Sequence, residues 1–317
     1  MSYKPPYTLT TKIVNLISEI SEELTRVEFS EKTIITPKLR KKNRVKTLVG
    51  TLEIEGNNLG EEKITAILDG KRVLGTLQEV SEVEGAINAY KELETYHHDS
   101  LDDLLRAHKI LMSDLLSSAG NFRTVQVGVG NHIAPQSHLV PNLMIDLFEW
   151  LKSSNDHPLI KSCVFHFEFE FIHPFSDGNG RIGRLWQTVI LYNWRSIFSA
   201  IPTESIIRDN QQAYYDALEL SSSNGDSTSF IEFMLEVILM TVKSSVKSSV
   251  NSSVNTEDKI LAFFKQSPTG TAKELSELLE LTTRAIEKQI ASLKRSGRLI
   301  RVGSARKGSW RIPPLAK

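Results

Sequence analysis

The chain has 317 residues, of which 40% are hydrophobic and 24% are charged, an ordinary composition for a folded globular protein. Lysines and arginines number 38 and acidic residues also number 38, so the overall charge indicates neither nucleic acid nor a membrane as a partner. The length favours two domains, or one large domain with a smaller one attached. Cys163 is the single cysteine, which excludes an intrachain disulfide and fits a reducing compartment. No stretch resembles a signal peptide or a membrane span, so we expect a cytoplasmic protein without membrane contact.

The first part of the chain has the apolar spacing of amphipathic helices. Apolar residues recur at helical intervals over residues 9–27, and Pro37 is placed to open a second helix. The Gly-Asn-Asn segment at 56–58 contains residues that end helices, so the second helix should stop there. Two further helical patterns cover residues 73–94 and 99–117.

The middle of the chain contains two segments that alternate with a period of two. Thr124, Val125, Val127 and Val129 alternate around glycines, which predicts a hairpin-like insertion between helices. A helical pattern resumes over residues 143–150. Within residues 159–172, phenylalanines again occupy alternate positions, and by periodicity alone this segment predicts a strand. These residues are Phe165, Phe167, Phe169 and Phe171.

Three strong helical patterns follow, over residues 182–194, 204–220 and 229–242. Residues 243–254 then read KSSVKSSVNSSV, a repeat of four residues. A serine-rich repeat is typical of a flexible linker. The alternative is a helical extension, because the valines of the repeat would form one stripe on a helix, although serine and valine are mediocre helix formers.

The residues after this repeat follow a different pattern. Three short helical patterns cover residues 257–265, 272–280 and 283–296. Thr271 and Thr282 are candidate N-caps, and Gly297 ends the third helix. Two short strands around a glycine-flanked turn complete the region. Three helices and a hairpin are the pattern of a winged helix-turn-helix domain.

The chemistry is concentrated in residues 173–184, which read HPFSDGNGRIGR. Gly178, Asn179 and Gly180 lie just before a helix, so their backbone N–H groups can converge on an anion at the positive end of the helix dipole. Arg181 and Arg184 are three residues apart and share one helix face, where two guanidinium groups suit a polyphosphate.

Two further residues of this segment have reactive side chains. Asp177 lies at the rim of the anion site, where a carboxylate would hold Mg²⁺ against phosphate oxygens. His173 precedes the loop, and a histidine titrates near neutral pH, which suits a general base. Each feature alone is common in structural roles. Together, an anion site, a metal ligand and a base indicate in-line attack on phosphorus.

This segment resembles the signature of the Fic family, HPFx[DE]GNGRxxR, and matches it at every specified position. The resemblance extends over roughly residues 40–240 by the layout of helices and hairpin. It implies an all-α fold, namely a Fic helical core with a small β-hairpin flap, followed here by the winged helix-turn-helix domain. It also implies that residues 159–172 are helical, because His166, Phe169 and Ile172 fall on the pattern of the family.

The resemblance also implies an activity. Family members of this type transfer AMP from ATP to a Thr, Tyr or Ser hydroxyl of a target protein. By that resemblance, His173 would deprotonate the hydroxyl, Asp177 would hold Mg²⁺, and the Gly-Asn-Gly segment at 178–180 would bind phosphate oxygens. Relatives called Doc, which transfer phosphate, have a lysine in place of Gly180, so the glycine favours AMP transfer.

Residues 51–57, TLEIEGN, look like the inhibitory motif of the family, [ST]xxxE[GN]. By the resemblance, Glu55 would pair with Arg184 and deny that arginine to the γ-phosphate. A helix that simply ends in Glu-Gly is the alternative, and the presence of the full catalytic motif decides in favour of inhibition.

Residues 124–135 look like the flap of the family, a hairpin that would dock a target protein by strand addition. Within it, Val129, Gly130, Asn131 and His132 would line the nucleotide pocket. Tyr214 and Tyr215 are similar to a tyrosine pair that lines the adenine pocket in some members. An asparagine common downstream is Ser222 here, so two buried core tyrosines are an equal alternative.

We therefore expect four regions: an N-terminal helical region with the inhibitory helix (1–95), the Fic catalytic core (96–242), a linker (243–254) and the winged helix-turn-helix domain (255–317). Between Arg284 and Arg311 the last region has nine basic residues and one acid, Glu287. This excess favours contact with a DNA backbone over residues 284–311, while a protein-interaction or dimerisation module is the alternative.

The leading hypothesis is a protein adenylyltransferase with ATP as substrate and Mg²⁺ as cofactor, restrained by Glu55. One alternative is a DNA-binding regulator that uses the Fic domain as a nucleotide sensor, and another is a Fic enzyme that removes AMP. The intact His173 and Asp177 argue against an inactive sensor. The sequence names neither the target protein nor the oligomeric state, and a homo-oligomer stays open.

Overall fold

The computed structural model describes residues 3–34, 37–129, 132–279, 281–303 and 308–313, without the side chains of 29–38, 129–133 and 246–255. The chain forms two compact units, Met1–Ser245 and Val246–Lys317. In the described residues no helix is both long and apolar enough to cross a bilayer.

The first unit begins with helices, most of which the apolar spacing predicted. They are α1 (Thr11–Ile34), α2 (Pro37–Ile54), α3 (Gly60–Leu68), α4 (Leu77–Lys91) and α5 (Leu101–Met112). Pro37 opens α2 as expected, and Gly56, with φ +86°, follows its end. Helix α3 was not predicted, because it is only nine residues long and the glycines at its ends, Gly60 and Gly70, are typical of turns.

The hairpin and the central helices follow. The strands are β1 (Gly128–Val129) and β2 (His132–Ile133), and the helices are α6 (Val140–Ser153), α7 (Pro158–Ile172) and α8 (Asn179–Trp194). The strands pair antiparallel, with Gly128 opposite Ile133. The period-two interpretation of 159–172 is wrong and the helical one is confirmed. Because α7 is buried on nearly all sides, its apolar residues need not follow a helical stripe.

The unit is completed by α9 (Thr203–Asp209), α10 (Gln211–Asn224) and the first part of α11 (Thr228–Gln266). The single helix expected over 204–220 is therefore two helices. The backbone of 243–254 lies within α11, which agrees with the helical alternative and not with an irregular linker. The division between the two units falls inside this same stretch.

The second unit has the predicted winged arrangement. After the end of α11 come α12 (Ala272–Leu279), α13 (Thr283–Arg295), β3 (Ile300–Val302) and β4 (Ser309–Arg311), with β3 and β4 antiparallel. Thr271 and Thr282 accept hydrogen bonds from the first turns of α12 and α13, as N-caps do. A small apolar core around Phe264, Leu275 and Ile286 holds the unit together.

Candidate active site

The loop between α7 and α8 turns sharply at two residues with left-handed backbone. His173 follows the end of α7 with φ +51°, the one non-glycine residue with positive φ in the described part of the chain. Gly178 has φ +80° and precedes α8. A non-glycine residue in this conformation is strained, and such strain is concentrated at functional sites. The loop therefore holds His173 in a left-handed conformation that glycine usually adopts at the end of a helix.

Asn179 fixes the loop through its side chain. Its Oδ1 accepts from the Phe175 N–H at 2.8 Å, and its Nδ2 donates to the Phe175 carbonyl at 2.8 Å. The Gly178 N–H donates to Asp177 Oδ1 at 2.6 Å. The Asn179 side chain is thus committed within the protein, so any role of this residue toward phosphate belongs to its backbone N–H at the start of α8.

His108 on α5 supports the same loop from below, which the sequence analysis did not anticipate. Its ring stacks on Phe175 with centroids 3.6 Å apart, and its Nε2 lies 3.0 Å from the Asp177 carbonyl oxygen. The Gly120 N–H donates to its Nδ1 at 2.9 Å, so Nε2 carries the proton. Burial lowers the pKa of His108 to about 4, and the ring is neutral.

Arg123 is a second supporting residue that sequence reasoning missed. Its guanidinium donates to the carbonyl of His173 at 2.7 Å, of Val125 at 2.9 Å and of Pro135 at 2.5 Å. The side chain is buried, no carboxylate of the described residues lies within ion-pair distance, and burial lowers its pKa. Arg123 therefore joins both ends of the hairpin segment to the carbonyl of the candidate base.

Arg181 and Asp177 face each other at the start of α8. Arg181 is only 4% exposed, its NH2 lies 3.4 Å from Asp177 Oδ1, and its buried Nε has no acceptor among the described residues. An unsatisfied buried guanidinium nitrogen is costly and suits an anionic ligand. The Asp177 side chain is 62% exposed, as a ligand to a nucleotide-borne ion would be.

Arg184 is bound by the end of α2. Its NH2 donates to Glu55 Oε1 at 2.6 Å, and its Nε donates to Thr51 Oγ1 at 3.1 Å. The Arg184 side chain is 2% exposed and that of Glu55 is 31% exposed. Burial raises the pKa of Glu55, but the Arg184 charge outweighs it and holds the pKa below its usual range. The two residues that the inhibitory motif paired are in contact.

Gly180 lies directly beneath this ion pair. A Cβ at this position would lie 2.4 Å from Glu55 Oε1 and 3.0 Å from Arg184 NH1. The missing side chain therefore leaves room for an anionic oxygen beside the helix N-terminus, and the Glu55 carboxylate takes that place. The space above Gly180 is thus occupied by a negatively charged oxygen.

The end of α2 is fixed by packing and by hydrogen bonds. A Cβ on Gly50 would approach the Glu204 backbone to 2.7 Å, so glycine allows α2 to pack closely on α9. After the helix, Asn57 donates to the Glu79 carbonyl at 3.1 Å and to Glu82 at 2.8 Å. These contacts hold the backbone that carries Glu55.

The two tyrosines of the predicted adenine pocket have different environments. Tyr214 is buried, and its hydroxyl lies 2.9 Å from His166 Nε2. His166 is itself buried and lies 2.8 Å from Gln187 Oε1. Tyr215 is 44% exposed. Tyr214 thus takes part in a core hydrogen-bond network, and Tyr215 alone presents a ring to solvent.

The flap residues can be placed only in part. Val129 and His132 are opposite each other in the β1–β2 pair, and their side chains lie outside the described residues. Gly130 and Asn131 also lie outside them. Arg123 connects the backbone of the hairpin segment to the loop between α7 and α8 through the hydrogen bonds given above.

Some of the basic residues of the winged unit already have partners. Arg298 forms ion pairs with Glu257 at 2.6 Å and Asp258 at 3.2 Å. Arg301 lies over the Trp310 ring at 4.7 Å. Lys294 and Arg295 stand at the end of α13, while Arg306 and Lys307 lie outside the described residues. The remaining basic excess is smaller than the sequence count suggests.

Comparison with known proteins agrees with the site. The Fic/DOC family profile matches residues 98–191, and an HTH domain profile matches residues 256–308. A solved Fic family protein from Desulfovibrio desulfuricans G20 is 37% identical, covers 99% of this chain and 100% of its own, and has a TM-score of 0.76. The fold and site define a helical domain of the Fic type followed by a helix-turn-helix domain. The chain belongs to the Fic family.

Curated relatives are more distant. Protein adenylyltransferase Fic of Culex quinquefasciatus is 30% identical over 194 residues, which are 58% of this chain and 38% of the relative. Fic-1 of C. elegans, a solved structure, is 22% identical with a TM-score of 0.62 over 76% of this chain and 72% of its own, a likeness in fold alone. This chain thus spans 38% of the length of the Culex relative.

Proposed function

We propose that this protein transfers AMP from ATP to a Thr, Tyr or Ser hydroxyl of a target protein. The observation that supports this most directly is the carboxylate of Glu55 on Arg184, in the space above Gly180. A carboxylate oxygen bound by a buried guanidinium, beside a helix N-terminus, lies where a phosphate oxygen of ATP would replace it. Relatives named protein adenylyltransferase lend this reaction further support.

The residues of the loop have separate tasks in this reaction. His173 takes the proton of the target hydroxyl while the hydroxyl oxygen attacks the α-phosphorus, and the bond from that phosphorus to pyrophosphate breaks. Arg181 and Arg184 stabilise the negative charge that moves onto the leaving phosphates. A ring at the exposed Tyr215 would stack on adenine, and Tyr214 would support it from the core.

Asp177 fits the part of a magnesium ligand. Mg²⁺ at nucleotide sites is commonly held by one or two carboxylates together with phosphates and water, and the exposed Asp177 offers one such carboxylate. When bound, Mg²⁺ would neutralise charge on the phosphates. We therefore propose Mg²⁺ as cofactor, with ATP as substrate. We also propose that the protein is cytoplasmic.

We further propose that Glu55 restrains the enzyme. While it pairs with Arg184, the γ-phosphate cannot use that guanidinium, and ATP binds in a less productive position. The target protein would add an extended segment to the hairpin at 124–135, with residues 129–132 beside the nucleotide.

Labelling with α-³²P-ATP tests the proposal. Glu55→Gly should raise AMP transfer to itself and to proteins of a lysate at least about 10-fold, since a competitor for Arg184 is removed. Glu53→Gly is the matched control, because Glu53 lies two residues earlier and pairs instead with Arg208 at 3.0 Å. Equal labelling by wild type and Glu55→Gly at saturating Mg·ATP would refute the restraint. If the enzyme transfers no AMP but releases AMP from protein that was labelled beforehand, the AMP-removing alternative is favoured.

A second candidate function is DNA binding by the helix-turn-helix domain. The basic residues at the end of α13 and on the hairpin support it. Binding of the full chain to duplex DNA should weaken steeply with salt. The double variant Lys294→Ala with Arg295→Ala should weaken binding to most sequences alike, whereas the exposed Lys273→Ala on α12 should not. No binding at low salt would favour the protein-interaction alternative.

A further inference from the structure

Glu170 is a buried carboxylate that the reaction above does not use. It lies on α7 one turn before His173, and its Oε2 is 3.9 Å from His173 Nδ1. Its Oε1 lies 3.8 Å from His166 Nε2, and this oxygen is buried without a hydrogen bond from any described residue. Only 11% of the side chain is exposed. A buried carboxylate without full hydrogen bonding is destabilising, and such groups are concentrated at functional sites.

Gly183 makes room for this carboxylate. A Cβ at position 183 would lie 2.6 Å from Glu170 Oε1. Gly183 belongs to the variable part of the signature between Arg181 and Arg184, so the signature itself does not explain it. Helix α8 is therefore shaped to accept the Glu170 side chain between α7 and the phosphate-binding arginines.

We propose that Glu170 is a positioning residue for His173. Its carboxylate accepts a hydrogen bond from the Nδ1–H group, so that the imidazole presents the unprotonated Nε2 to the target hydroxyl. Once Nε2 has taken that proton, the same carboxylate stabilises the imidazolium. Closing the gap from 3.9 Å to hydrogen-bond distance needs a shift of about 1 Å, and such contacts are often loose before substrate binds.

The charges around Glu170 decide when it can act. It is faced by titratable or charged groups from its own helix and from other elements: His166 on α7, Arg184 on α8, Glu55 after α2 and Tyr214 on α10. Burial raises the pKa of Glu170 to about 7, Arg184 opposes this and Glu55 adds to it. His173 also lies near Glu55. In Glu55→Gly one negative neighbour is lost, which favours ionised Glu170 and thus the acceptor that His173 needs.

The first test needs no activity. Full-length protein with ¹⁵N-histidine is titrated by NMR without nucleotide, in the Glu55→Gly background, with His173→Asn used to assign the signal. Glu170→Gln should lower the midpoint of the His173 titration by at least about 0.5 pH unit and reduce the fraction of neutral rings protonated at Nδ1. A carboxylate near Nδ1 favours the imidazolium and, in the neutral ring, a proton on Nδ1, and the variant removes this charge. Glu168→Gln is the matched control, since Glu168 on the same helix bonds Tyr3 instead. An unmoved His173 midpoint overturns the proposal.

The second test rests on the proposed function. In the same background, Glu170→Gln should lower kcat about 10- to 100-fold and move the acidic limb of the kcat profile to lower pH, with KM for ATP nearly unchanged. Gly183→Ala, which pushes the carboxylate aside, should do the same. A raised KM for ATP, with the acidic limb of the kcat profile unchanged, would mean that Glu170 acts on Arg184, and would overturn the proposal. If Glu55→Gly itself transfers no AMP, the proposed function fails, while the titration still decides the role of Glu170.

Discussion

Replacing Arg123 by lysine tests whether one buried guanidinium holds together the hairpin segment and the loop between α7 and α8. Arg123 donates to the carbonyls of Val125, Pro135, Ile172 and His173 at distances of 2.5–3.3 Å. A lysine ammonium keeps the charge but is a single point, so it cannot reach carbonyls on both sides of the planar group. At least two of these buried acceptors then lose their partner.

The expected loss can be estimated from these bonds. A hydrogen bond to a charged group contributes about 1.5–3 kcal/mol, and a buried group left without a partner costs a similar amount. Arg123→Lys should therefore lower the free energy of unfolding of the first unit by about 3 kcal/mol. The His173 carbonyl also loses its donor, and a displacement of about 1 Å at the reacting group lowers the rate about 100-fold.

Urea unfolding followed by circular dichroism measures the first effect, and AMP transfer in the Glu55→Gly background measures the second. Arg106→Lys is the control, since Arg106 is half-exposed and pairs with Asp103 at 3.0 Å on the same helix. It should change stability by less than about 0.5 kcal/mol. If Arg123→Lys matched this control in both assays, the carbonyls would not depend on Arg123 and the reasoning would be wrong.

Three further variants test other parts of the site. His173→Ala should lower transfer by about 10²–10⁴-fold with ATP affinity nearly intact, and transfer within a few-fold of wild type would contradict the general-base role. Gly180→Ala in the Glu55→Gly background should lower transfer at least about 10-fold, because the added Cβ enters the proposed phosphate site; equal rates would argue against phosphate binding there. The pKa of His108 falls from 6.5 to about 4 on folding, so acidification from pH 7 to 5 should cost the wild type about 2 kcal/mol of stability relative to His108→Asn. Unfolding curves at both pH values check this, and parallel losses would show that His108 is not buried as a neutral ring.

The signature segment could be predicted from sequence because its residues act within a few positions of one another. His173, Asp177 and Arg181 are neighbours in the chain, so their loop and helix place them together whatever surrounds them. The contact between Glu55 and Arg184 joins residues far apart in the chain. It was predicted only because the resemblance to the family supplied the pair.

Arg123 and His108 were missed because their roles depend on packing between distant segments. His108 lies on the apolar face of α5 beside Leu104 and Leu111, and a histidine there is most often a core residue that needs a partner. That signal was available, but the partner, the Asp177 carbonyl, follows only from how α5 meets the loop. Arg123 stands at the start of the hairpin, where an arginine is expected to face solvent.

Periodicity failed at α7 for a related physical reason. A helix that is buried on nearly every side has no polar face, so the spacing of its phenylalanines is free to mimic a strand. At the tyrosine pair, by contrast, regular helix geometry accounts for the environment of each residue. Adjacent residues on a helix point about 100° apart, so Tyr214 enters the core while Tyr215 faces outward.

The geometry at the end of α2 also bears on how ATP would gain access to Arg184. Helix α2 ends at Ile54, one residue before Glu55, and the Ile54 carbonyl accepts a hydrogen bond from Gln211 at 3.0 Å. Asn57 fixes the backbone on the other side and is buried. The Glu55 side chain itself keeps 31% of its surface exposed. Since the backbone is held at both ends and the carboxylate borders solvent, we expect the γ-phosphate to displace Glu55 by side-chain rotation, without unwinding of α2.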